Sequence, residues 1–239
     1  MRKRTSLVIA ALAMAPLSAF GQWSDNFDSY VTGSQMHGQG GWKGWFNSPG
    51  AGAVTSGSPF QSAPNSVDIK GGSDLVREYA VNGGLWRYSG SVFVPTAHTG
   101  LSYFILMSNY NDAGTNMHWS SQMVFNSTLN TVGEDSPNGG TVTPVALVKG
   151  QWVPFSVDFD LVNDTKVVKY NNLQVLAARW RDQPGGAGGA TLSLGAVDLY
   201  ANNTTSVFYD NLRLEAVPEP ASMVALAVGA LAMLRRRRK

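Results

Sequence analysis

The chain has 239 residues, with 18 Lys and Arg against 16 Asp and Glu, 26 Gly, seven Trp and no Cys. Three basic residues occupy positions 2–4 and five occupy 235–239, so the stretch 22–217 keeps ten against fifteen acidic ones, a net charge of about −5. That balance argues against nucleic-acid binding through a basic footprint, and without cysteine there are neither disulfides nor thiolate metal sites.

The chain opens on Arg2-Lys3-Arg4, continues as an apolar run over 7–17 and reaches Ser18-Ala19-Phe20-Gly21. Basic, then apolar, then small is the order of a secretory signal peptide, cut by signal peptidase after Gly21. The run is shorter than the ~20 apolar residues of a spanning helix. Residues 1–21 are therefore assigned to a signal peptide and 22–216 to one exported domain.

From position 22 onward no long helical period appears. Runs alternating with a period of two are expected as strands over 66–70, 75–80, 85–94, 101–108, 117–125, 141–148, 165–170, 173–179, 191–200 and 206–215. The clearest sets Val153, Phe155, Val157, Phe159 and Leu161 on one face and Pro154, Ser156, Asp158 and Asp160 on the other. Asn171-Asn172 tolerates the positive φ of a tight turn, so 165–179 should be one hairpin. Asp135 to Gly140 and Pro184 to Gly189 read as turns. Many short strands with polar turns predict an all-β fold, a two-sheet antiparallel β-sandwich.

The chain ends in Val217-Pro218-Glu219-Pro220, an apolar run over 223–234 and Arg235 to Lys239. Twelve residues span only ~18 Å as a helix, against a bilayer core of ~30 Å. The segment 217–239 therefore reads as a short hydrophobic helix that anchors transiently, with its basic end cytoplasmic. It resembles the PEP-CTERM sorting signal, whose motif falls here on Pro218, Glu219 and Pro220. The resemblance implies processing by exosortase, association with exopolysaccharide, and a final place at the surface or in the extracellular matrix of a Gram-negative-type bacterium.

The domain itself resembles the concanavalin A-like, laminin G-like jelly-roll group. The resemblance is carried by Asp25-Asn26-Phe27-Asp28-Ser29-Tyr30, by Gln39-Gly40-Gly41-Trp42-Lys43-Gly44-Trp45, and by the closing run Val207 to Leu214. It implies a lectin, a glycan-binding module or a glycosidase, and the fold alone does not choose.

Signs of catalysis are sparse. Glu78, Glu134 and Glu215 are far apart and form no Glu-x-Asp-x-Glu strand. No Gly-x-Ser-x-Gly elbow, P-loop or dinucleotide fingerprint is present, and His37, His98 and His118 are scattered. A non-catalytic polysaccharide binder is expected, with a divergent hydrolase or lyase as the alternative. Trp42, Trp45 and Phe46, in a Gly-rich loop, are the candidate sugar-stacking rings, unless they fill the core. Phe208, Asp210, Leu212 and Leu214 share a face by the period of two, which would bury Asp210. If the first and last strands pair, Asp25, Asp28 and Asp210 converge as a candidate structural calcium site. Backbone N–H donors, an Arg partner or an exposed strand end are the other accounts of Asp210.

Overall fold

The computed structural model describes residues 23–135, 137–184 and 189–217. The expected signal peptide and the tail with Pro218, Glu219 and Pro220 lie outside the described residues, and no helix among them is long and apolar enough to cross a membrane. The strands, in chain order, are β1 (Trp23–Asp25), β2 (Trp42–Gly44), β3 (Val54–Ser56), β4 (Ser66–Ile69), β5 (Asp74–Asn82), β6 (Leu85–Phe93), β7 (Leu101–Asn109), β8 (His118–Asn126), β9 (Thr131–Glu134), β10 (Val145–Ala146), β11 (Trp152–Asp160), β12 (Thr165–Tyr170), β13 (Leu173–Ala178), β14 (Ser193–Tyr200) and β15 (Val207–Ala216).

They form two antiparallel sheets. One runs β13-β12-β11-β6-β15-β4-β3, with β1 also on β15; the other runs β10-β9-β8-β7-β14-β5-β2. This is the expected β-sandwich. Val153, Phe155, Val157, Phe159 and Leu161 are all buried in the shared core, with Phe104 of the facing sheet 4.6 Å from Phe155 between ring centroids. The hairpin at Asn171 (φ 50°) and Asn172 (φ 61°) closes on Tyr170 opposite Leu173. The expected strand over 141–148 shrinks to Val145–Ala146, whose only ladder is with β9. Pro144 removes a ladder donor just before it.

A buried pair joins the sheets. Lys166 of β12 reaches Glu134 of β9 at 3.4 Å, together with the carbonyls of Ser120 and Asp182. Glu134 also accepts from Ser121 Oγ and from the Gln122 N–H, both at 3.0 Å. Burial pushes the Glu134 carboxyl up and the Lys166 ammonium down, against their mutual attraction.

β15 lies inside its sheet. β6 flanks it throughout, while β4 pairs with Val207 to Tyr209 and β1 with Leu212 to Leu214 on the other side. Between Asp210 and Arg213 the register against β6 slips by one residue, with Asn211 at φ 52°. This bulge corrects the expected face. Val207, Tyr209, Leu212 and Leu214 point into the core, whereas Phe208 points outward against Phe93. Asp210 therefore does not share a face with Leu212 and Leu214, because one extra residue inverts the alternation.

Candidate functional site

The first and last strands do pair, Asp25 standing opposite Leu212. Each expected calcium ligand nevertheless has donors of its own. Asp210 accepts from the N–H groups of Gln61 (2.7 Å), Ser62 (2.8 Å) and Asn211 (2.6 Å) and from Ser62 Oγ. Asp25 accepts from the Phe27 N–H, Tyr30 Oη and Trp42 Nε1. Asp28 accepts from the Asn65 N–H and Asn26 Nδ2. Among the described residues no group of three or more His, Asp or Glu is arranged to hold a metal.

The three candidate stacking rings separate. Trp42, on β2, is only 1 % exposed and packs on Trp23 and Phe27 in the core, its indole N–H fixed by Asp25. It is a core residue, so its expected place among the sugar-stacking rings is corrected. Trp45 and Phe46 follow the strand and turn to the outer face of the seven-stranded sheet. There the alternation of β7 supplies a second apolar layer. Phe104 and Leu106 enter the main core, while Tyr103, Ile105 and Met107 face the other way with Val76 and Ala196.

On this layer sits an aromatic cluster. Trp45 stacks near Trp119 (6.4 Å, 27°) and meets Tyr110 edge-on at 5.0 Å and Phe46 at 5.4 Å. Phe46 is 51 % exposed and holds φ 54°. For a bulky non-glycine residue that conformation costs on the order of 1 kcal/mol or more, and such strain concentrates at functional sites. Its N–H donates to Tyr110 Oη at 3.0 Å, and Tyr110 Oη donates to Asp112. Lys43 lies 5.3 Å from the Tyr110 ring centre and bridges Glu78 and Asp112. Burial works against the Lys43 charge, but Asp112 and Glu78 outweigh it and hold the ammonium above its usual range. The cluster thus offers two part-exposed indoles and one exposed phenyl ring beside a cation and two carboxylates.

Farther along the face Tyr103 stacks on Tyr200 at 5.7 Å. Beside them Asp198, 3 % exposed and alternating with the core residues Val197 and Leu199, hydrogen-bonds Asp74 carboxyl to carboxyl. The Oδ1 of each has no other donor among the described residues. Burial first, and Asp74 second, push Asp198 well above the carboxylate range, and burial also raises Asp74. Sequence reasoning missed Tyr110, Asp74 and Asp198, and had Trp119 only as one of the chain's Trp rings available for stacking. Asp74 and Asp198 are far apart in the chain and meet because Asp198 lies opposite Val76 while Asp74 lies opposite Tyr200.

Residues 216–239 match the PEP-CTERM protein-sorting motif. The motif implies an exported protein that exosortase processes and that is anchored transiently through its tail. No curated protein matches the chain. Among solved structures, the globular domain of T. cruzi calreticulin is similar at 10 % identity and a TM-score of 0.54, covering 88 % of this chain and 94 % of that one. The apo Crh5 transglycosylase is similar at 12 % identity and a TM-score of 0.53, covering 84 % and 86 %. A sialidase is similar at 7 % identity and a TM-score of 0.53, covering 82 % of this chain but 18 % of the sialidase. At these identities the likeness shows the fold alone, the concanavalin A-like jelly roll.

Proposed function

We propose that this protein is an exported, non-catalytic component of the cell surface or extracellular matrix, binding exopolysaccharide through the aromatic layer on its seven-stranded sheet. Phe46 carries the reading. Its ring packs on Trp45 and against Gly114, yet half of it stays exposed in a costly backbone conformation, the kind of strain that gathers at functional sites. Flat rings at this spacing suit the C–H faces of sugar rings, and Lys43, Glu78 and Asp112 supply polar partners at the rim.

The test is retention of the purified full chain, in detergent, on the producing bacterium's own polysaccharide. Phe46→Ala should lower the affinity roughly tenfold, the equivalent of one lost apolar contact, with the melting temperature nearly unchanged. Unaltered retention would sink the reading.

A divergent hydrolase is favoured by one observation, the Asp74–Asp198 pair on the same face. Against it, the two carboxyls touch, whereas glycosidase pairs stand ~5 Å or more apart to admit the sugar or a water. New reducing ends or unsaturated uronates after incubation with polysaccharide would decide for the enzyme.

A further inference from the structure

The outer face of the eight-stranded sheet carries a trench of different chemistry. Outward positions line up across five strands: Lys169 of β12, Ser156 of β11, Ser89 of β6, Arg213 of β15 and Ser24 of β1, each opposite the next. Asp158, Arg87 and Glu215 form a parallel row beside them. Two depressions of about 530 and 500 Å³ lie along this line and share Asn211 and Arg213 as lining residues. Small side chains on the floor and the bulge at Asn211 give the trench its depth. Five strands at ~4.8 Å spacing make a crossing of ~19 Å, and most of the trench surface is polar.

In the depression that Arg87, Lys169 and Arg213 line, cations are in excess. Arg87 makes a forked contact with Asp158 (2.5 and 3.0 Å), and Lys169 reaches the same carboxylate at 3.4 Å. Arg213, with 60 % of its side chain exposed, has Glu215 only at 3.6 Å. Burial opposes its charge, but Arg87 and then Lys169 hold Asp158 below the usual carboxylate range. Three cations thus face Asp158 and Glu215 there, while Asp25, which lines the other depression, is already taken by the Phe27 N–H, Tyr30 Oη and Trp42 Nε1, in a domain whose overall balance is negative.

We infer that this trench, on the face opposite the aromatic layer, binds a linear anionic polysaccharide, with Arg213 and Lys169 meeting its carboxylates and Ser89 and Ser156 its hydroxyls. Lys169 and Arg213 stand three strand spacings apart, ~14 Å along the row, so one linear polyanion laid in the trench meets both. Nucleic acid fits less well, because its backbone charge is far denser than this row and the domain as a whole would repel it. The site goes beyond the aromatic surface and requires nothing from it. With both faces engaged, one molecule would bridge two polymer strands.

The experiment measures binding of the purified full chain, in detergent, to polygalacturonate, to its methyl ester and to double-stranded DNA. Polygalacturonate should bind, weaken as salt rises, and lose roughly tenfold or more in affinity in Arg213→Ala/Lys169→Ala. Arg213→Lys should recover part of the loss, and Phe46→Ala should leave this binding unchanged, which separates the trench from the aromatic site. Equal binding of acid and methyl ester, no binding of either, tighter binding of DNA, or indifference to the double substitution would each overturn the inference.

Discussion

The middle outward residues of β7 are Tyr103, Ile105 and Met107, whereas those of β6, between Leu85 and Phe93, are Arg87, Ser89 and Ser91. Both strands bury their other residues in the same core. On the seven-stranded sheet the outward layer is apolar enough to bind the aromatic loop at Trp45 and Phe46 and to bury Tyr110. On the eight-stranded sheet rings gather only where Phe93 meets Phe208 and Trp152, the hydroxyls and charges of the trench leave the rest of β6 open, and the bulge at Asn211 cuts into it. One alternating backbone has thus produced a stacking surface on one side and a charged channel on the other. The period of two fixes which residues leave the core but not what they do outside it.

The comparison depends on an interior that both faces share, and the largest effect should come from breaking it. Phe155→Ala removes a ring packed against Phe104 and Tyr209 and should cost about 3–5 kcal/mol. Ser156→Ala, one residue away on the trench side, should cost little, so denaturant titration of the two variants tests the face assignment. Equal losses would mean that inside and outside had been exchanged.

Acid should act on both faces alike. His98, 2 % exposed, bonds Ser127, Ser102 and Thr204 across loops at one end of the sandwich. Burial, then Lys149, lowers its pKa from 6.5 to about 4. A depressed pKa means the folded state prefers neutral imidazole. The stabilisation is fully present above ~6.5 and is lost as pH falls towards 4, by on the order of 3 kcal/mol. Melting curves between pH 7 and 4 should show this fall, and His98→Asn should flatten it.

The smallest effect concerns calcium. Because Asp25, Asp28 and Asp210 each have donors of their own, replacing EDTA with excess calcium should barely move the melting temperature. A calcium-dependent rise abolished by Asp210→Asn would restore the clasp joining the chain ends.

Long strands were legible in the sequence because alternation over several residues is visible without knowing their neighbours. β1, β2 and β3, at three residues each, are too short to show it. The bulge at Asn211 was not legible, because a single unpaired residue leaves no compositional mark yet inverts everything after it, and Asp210 was misplaced for that reason. Separating Trp42 from Trp45 was not legible either, because the strand ends at Gly44 and Trp45 opens a tight 3-10 turn that carries it to the other side. Tyr110 and Trp119 were not within reach. They come to Trp45 through the sheet order β8-β7-β14-β5-β2, which no local pattern encodes.

The pairing of β1 with β15 has a mechanical consequence. The chain enters the sandwich at Trp23, opposite Leu214, and leaves it three residues farther on at Val217, whose N–H still holds Leu85 O at 2.8 Å. While the tail is anchored, any load on the domain runs along the axis of β15. The ladders to β6 and β1 lie perpendicular to that pull and take it together in shear rather than one bond at a time. A domain tethered through an inner strand can therefore bear a load without unzipping from its anchored end.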